Sequence, residues 1–191
     1  MMTRKKVLRL ATATLVFMSL TGVVIMELFH DRKILEVLVG HYSWYYQLIL
    51  GGLYGALTAL AGWQLVKLPQ LKDTNDFFTR LIGGLNLSNF QILYISICAG
   101  VGEEILFRGA LQPFMGIWIT SILFVFLHGY LNPNNLPLTF YGVYMVLVIA
   151  GIGYLAEYNG LLTSITAHFV IDWILITKLR NSFQDEPEDY S

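Results

Sequence analysis

Six side chains in this 191-residue sequence could do chemistry: Glu103, Glu104, Arg108, His128, His168 and Asp172. The first three fall within GVGEEILFRG, residues 100–109, in a stretch otherwise apolar enough to cross a bilayer. Ionisable groups at such a depth are rare and usually line a cavity or a reaction site, because an unpaired polar group in hydrocarbon costs free energy on the kcal/mol scale. Glu104 and Arg108 stand at i and i+4 with the acid N-terminal, the better orientation for a helical ion pair. That pairing lets a buried arginine stay charged and leaves Glu103, turned by about 100°, free to face other helices. His168 and Asp172 share a face by the same spacing. A carboxylate, an imidazole from the next helix and a His/Asp pair from a third make a site for activating water, with or without a metal.

Each group also has a reading without chemistry. Glu104 and Arg108 could be a purely structural pair. His128, beside Gly129, could sit at the interface, His168 could be a core histidine bonded across the bundle, and Asp172 could be bonded to it or to the neighbours of Trp173. His30 and His41, in the first connection, carry no such signal. What favours a site is depth. If the spans on either side of residues 114–116 form a hairpin, Glu103 and His128 both lie about 16 to 20 Å from that turn along their helices. His168 lies roughly 12 Å below the Gly160 turn on the same side. All three then fall within the middle half of the membrane.

The elements that must position these groups are helices in lipid. Hydrophobic residues make up 55% of the chain and charged ones 13%, too apolar for a soluble domain of ordinary composition. The fold class read from this is all-α, a polytopic transmembrane bundle of about six spans with one short interfacial helix. The expected spans run over residues 10–29, 45–66, 88–112, 117–131, 138–156 and 161–179. The first resembles a secretory signal in its basic start but is too long and lacks a convincing cleavage site, and so reads as an uncleaved span. Gly51, Gly55 and Ala59 recur every four residues and make a smooth face for close helix packing within the chain, a reading favoured over dimerisation. Residues 67–86 mix Lys67, Lys72 and Arg80 with Phe77, Phe78, Leu81 and Ile82, the pattern of a helix lying along the interface. The organisation expected is a two-span region over 1–87, a four-span region over 88–180 and an acidic, disordered tail over 181–191.

Net charge is −1, which argues against nucleic acid as a partner. The single cysteine, Cys98, reads as packing. Six spans would place both ends of the chain on one side. Nine lysines and arginines, from Arg4, Lys5, Lys6 and Arg9 through Lys67, Lys72 and Arg80 to Lys178 and Arg180, fall there, against Arg32 and Lys33 opposite. The positive-inside rule then makes that side cytoplasmic. No internal repeat of the kind seen in many transporters is evident.

Three motifs in order carry a resemblance. EEILFRG matches EExxxR, FVFLH matches FxxxH and HFVID matches HxxxN/D. Residues 88–180 resemble the CPBP family, which comprises CAAX prenyl endopeptidases of the Ras-converting type and bacterial relatives called bacteriocin-processing or Abi proteins. The resemblance implies an intramembrane endopeptidase, with Glu103 as the base that activates water, His128 helping to hold that water, and His168 with residue 172 stabilising the oxyanion. Glu104 and Arg108 would support them. Where the eukaryotic prenyl proteases have asparagine, this chain has Asp172, and an ionised carboxylate accepts hydrogen bonds without donating any. An oxyanion hole would need it protonated; otherwise it orients His168 or binds a metal. Glu103, His128, His168 and Asp172 supply donors for zinc, yet no HExxH helix is present, and the family has been described both as metalloproteases and as metal-independent glutamate proteases.

The expected function is therefore hydrolysis of a peptide bond in a membrane protein or peptide substrate, in the bilayer of a bacterial plasma membrane. A catalytically idle relative that binds a partner, in bacteriocin immunity or as a regulator of another enzyme, is the alternative. An ion or proton pathway ranks third, because the spans carry few further polar positions. Substrate and oligomeric state are not legible in the residues.

Overall fold

The computed structural model describes residues 3–40 and 42–185. His41 and residues 186–191, including most of the acidic tail, lie outside the described residues. All regular structure among the described residues is helical. Five helices are long and apolar enough to cross a membrane: α1 (Arg4–Phe29), α3 (Trp44–Val66), α5 (Asn89–Leu127), α6 (Leu136–Asn159) and α7 (Leu161–Asp185). The short α2 (Ile34–Val39) joins the first two, and it was not expected from the sequence. After a 3-10 turn at Pro69–Leu71, α4 (Lys72–Gly83) supplies the expected amphipathic interfacial segment.

The difference between five long helices and about six expected spans lies in α5. Its winding breaks at Gly116, with φ 74° and ψ 167°, a conformation that residues with a Cβ rarely adopt. The chain folds back there, so the expected third and fourth spans are the two arms of one element. Phe107 and Phe124, one on each arm, pack edge to face at 4.9 Å between centroids. The return arm from Gly116 to Leu127 rises only about 17 Å, short of the ~30 Å of a hydrocarbon core, and the connection to α6 completes the crossing. α7 runs on to Asp185, into the segment expected to be disordered.

Helix α7 is the packing centre, and α3 fits against it through its small residues. A Cβ on Gly51 would stand 2.4 Å from the Thr163 carbonyl oxygen, and one on Gly55 would stand 2.5 Å from that of Ala167. The stripe of small residues is thus used inside the chain, as expected. Gln47, fully buried, secures the top of this pair: its side-chain N–H donates to the carbonyls of Val39 and Tyr42, and its oxygen accepts from Thr163 Oγ1 at 3.3 Å. The largest buried cluster joins α3, α5, α6 and α7 through residues such as Trp63, Phe107, Phe124, Ile149, Ile152 and Ile171.

At one end of the bundle Val7, Leu87 and Ile176 meet in a small apolar cluster, and Arg180 donates to the Leu87 carbonyl at 3.2 Å and to Asn89 Oδ1 at 2.6 Å. The start of α1 and the end of α7 therefore share one end of the molecule. Ser88 caps α5 there, accepting from the Gln91 N–H while the Gln91 side chain accepts from the Ser88 N–H, a reciprocal arrangement that satisfies two otherwise orphaned donors.

Candidate active site

The hairpin brings together residues that a straight helix would hold about 37 Å apart. Glu103 and Glu104 lie at the end of the α-helical part of the first arm, and the winding becomes π-helical over Ile105–Leu111. Short π segments inside α-helices occur often at functional sites, since the extra residue per turn re-aims the side chains around it. The return arm ends at His128, whose backbone N–H still bonds the Phe124 carbonyl, and Gly129 turns the chain away with φ 77°. His168 and Asp172 project from the middle of α7.

His128 and His168 both face one carboxylate oxygen of Glu103, and Asp172 lies beside His168. Oε2 of Glu103 lies 3.5 Å from His128 Nε2 and 3.9 Å from His168 Nε2, and His168 Nε2 is 3.7 Å from Asp172 Oδ2. These separations exceed a direct N–H···O hydrogen bond, and contacts of that length are where a bridging water is to be sought. Glu103 Oε2 is buried without a hydrogen-bond partner in the protein. A buried carboxylate oxygen left so is expected to bind a water or an ion.

The other ring nitrogen of each histidine is fixed by an acceptor. His128 Nδ1 faces the Phe124 carbonyl at 2.8 Å; a carbonyl only accepts, so Nδ1 carries the proton. His168 Nδ1 lies 2.8 Å from Glu104 Oε1 and donates to that carboxylate. In the neutral rings both Nε2 atoms therefore present lone pairs toward Glu103. Glu104 also faces Arg108, with Nε 3.4 Å from Oε2 and both side chains inaccessible to solvent. The expected ion pair is present, but Glu104 has a second role that helical spacing did not reveal: it, rather than Asp172, holds the far nitrogen of His168.

Exposure is graded across the site. The Glu104 and Arg108 side chains are sealed, Glu103 is 12% exposed, and Asp172 and His128 reach 28% and 37%. The site opens on the side of the last two. Its walls are aromatic: Phe124 stacks on His128 at 4.2 Å and meets His168 edge-on at 5.7 Å, and Tyr130 lies parallel to His128 at 6.3 Å. Phe78 of the interfacial helix α4 reaches Tyr130 at 5.7 Å. The sequence signalled Phe124 twice, as the first residue of the FVFLH motif and by its position four residues before His128 on the same helical face. For Tyr130 and Phe78 it offered none.

The donor types suit zinc. Among the described residues, however, no three His, Cys, Asp or Glu side chains converge on one point as a metal shell requires.

Comparison with known proteins gives similarities over the segment that carries this site. The chain is similar to the uncharacterized protein YpbD of Bacillus subtilis (strain 168), with 34% identity over 106 residues, which cover 51% of this chain and 53% of that protein. The chain thus spans about half the length of that relative. No solved structure matches it. The family model described as Type II CAAX prenyl endopeptidase Rce1-like matches residues 85–174, a stretch that begins just before α5 and contains Glu103, Glu104, Arg108, His128, His168 and Asp172. Through that segment, a little under half of its length, the chain is similar to the Rce1-like family of CAAX prenyl endopeptidases.

Proposed function

We propose that this protein is an intramembrane endopeptidase that hydrolyses a peptide bond in a membrane protein or membrane-associated peptide. The observation that carries the reading is the buried, unpartnered Glu103 Oε2 facing Nε2 of both His128 and His168 at 3.5 and 3.9 Å. A water seated among these three atoms is positioned by the imidazoles and gives its proton to Glu103 as its oxygen attacks the peptide carbonyl. The protonated Glu103 then returns a proton to the leaving amine.

His168, oriented by Glu104, faces the developing oxyanion through Nε2 when the ring carries its second proton, and donates to it. Asp172, 3.7 Å from that nitrogen, stabilises this charged form and holds the ring edge toward the substrate. No step is routed through a metal, since the donors do not close on one point. The aromatic walls and the opening beside Asp172 and His128 suit an apolar segment entering near the end of the bundle that holds both chain ends. The distribution of lysine and arginine assigns that end to the cytoplasm.

The test compares peptide termini in host membranes carrying wild type or Glu103→Gln at matched expression. New termini with wild type alone support the reading and identify the substrate. Identical termini, with both proteins inserted and folded, overturn it in favour of a partner-binding protein.

A further inference from the structure

At the other end of the bundle lies a cavity of about 570 Å³ that the proposed hydrolysis does not use. It is lined by Arg32, Glu36, Arg108, Gln112, Glu157 and Leu161, among others, and its volume is that of a small-ligand site. It forms where α2 and the connection before it, the turn at Gly116, the end of α6 and the start of α7 converge.

The chemistry around it is divided by sign. On the positive side are Arg32, the buried Arg108, and Leu161, which opens the 25-residue α7 and brings the free N–H groups of a helix N-terminus. Arg108 is 4% exposed, and its Nη2 has no hydrogen-bond partner in the protein; Nη1 reaches Gln112 Oε1 and Ser121 Oγ at 3.3 and 3.4 Å. On the negative side are Glu36 and Glu157, both exposed to the cavity mouth. Glu157 accepts from Gln112 Nε2 at 3.4 Å. Among the described residues, Arg32, Glu36 and Glu157 form no ion pair with one another. Opposite charges that surround one cavity yet stay apart fit a ligand that carries both signs itself.

We propose that this cavity binds a phosphoethanolamine group, the zwitterionic headgroup of a bilayer lipid or its soluble ester. The phosphate meets Arg32 and the α7 N-terminus, where anions bind readily, and the charge of Arg108, whose side chain is closed to solvent, acts on it from behind the cavity wall. The primary ammonium donates to Glu36 and Glu157. A purely anionic headgroup would set its charge against those carboxylates, and a quaternary ammonium has no N–H to give them. Because Arg108 also pairs with Glu104, which holds His168, a charge bound in the cavity acts electrostatically on the arginine that supports the hydrolytic site.

The experiment uses delipidated full-length protein in detergent and needs no proteolysis, so its outcome is separate from that of the proposed activity. Native mass spectrometry is run with short-chain phosphatidylethanolamine, phosphatidylcholine and phosphatidylglycerol, and calorimetry with O-phosphoethanolamine. Saturable phosphatidylethanolamine binding, about tenfold tighter than phosphatidylcholine, is expected from the lost charge-assisted hydrogen bonds. The exposed Glu36→Gln/Glu157→Gln pair should abolish preference over phosphatidylglycerol, and Arg32→Gln should weaken all three lipids. Binding of the soluble ester as tight as that of the lipid assigns the site to the ester, and binding of the lipid alone assigns it to the membrane. Absence of saturable binding of either, or an unchanged preference in the carboxylate variant with its thermal unfolding intact, overturns the proposal.

Discussion

His168 Nδ1 and Glu104 Oε1 lie 2.8 Å apart in the sealed interior, and through that contact the second glutamate of an adjacent pair sets the orientation of a histidine 64 positions away in sequence. Glu104 also faces Arg108 at 3.4 Å. Its neutralisation should therefore act on both. Glu104→Gln keeps an oxygen to accept from His168 but leaves Arg108 without a counter-charge, and breaking a buried pair costs about 3 to 5 kcal/mol. A marked fall in the thermal midpoint is expected, with activity reduced about 10- to 100-fold, as for groups that orient a ligand or catalytic ring. Retained stability would disprove the dual role.

Glu103 should behave in the opposite way. Its Oε2 has no hydrogen-bond partner to lose, so Glu103→Gln is expected to leave thermal unfolding in detergent unchanged or slightly improved. Loss of a general base should lower the cleavage rate about 10²- to 10⁴-fold. The contrast between adjacent glutamates, one dissociating activity from stability and the other not, is the measurement to make.

Gly116 is open to a test of backbone conformation alone. Nothing lies within 4 Å of a Cβ added there, yet its φ is +74°. Gly116→Ala should cost about 1 to 3 kcal/mol through strain without any clash. Because the turn sets where the return arm ends, His128 should be misplaced and cleavage should fall with stability. An unchanged unfolding midpoint would mean that the chain reverses elsewhere.

Chelation separates two chemistries. Treatment with a strong zinc chelator should leave cleavage unaffected, since no three donors converge among the described residues. Loss of cleavage that added zinc restores would show that His128, His168, Glu103 and Asp172 close on a metal.

Orientation can be read with cysteine labels on a Cys98→Ser background. Gln70→Cys, near the end that both α1 and α7 share, should react only when the cytoplasmic face is opened. Lys33→Cys should react from outside intact cells. The reverse pattern would invert the assigned topology.

Helical class, membrane residence and the candidate groups were legible in the sequence because lipid imposes a simple rule: backbone polar groups must be satisfied within the segment, so long apolar runs become helices, and any ionisable residue inside them stands out. The hairpin at residues 114–116 was legible for the same reason, since two apolar arms and a Pro/Gly turn leave few alternatives. The packing role of Gly51 and Gly55 followed from spacing alone. The tertiary structure decided what spacing cannot express. Glu104 at i and i+4 from Arg108 was visible, but its contact with His168 depends on how α5 and α7 approach each other. The third and fourth spans run on as one element because one glycine turns the chain back without ending the apolar run. The cavity between Arg32, Glu36, Arg108 and Glu157 comes from three segments distant in sequence. Local periodicity fixes which face a residue occupies; only packing fixes what that face meets.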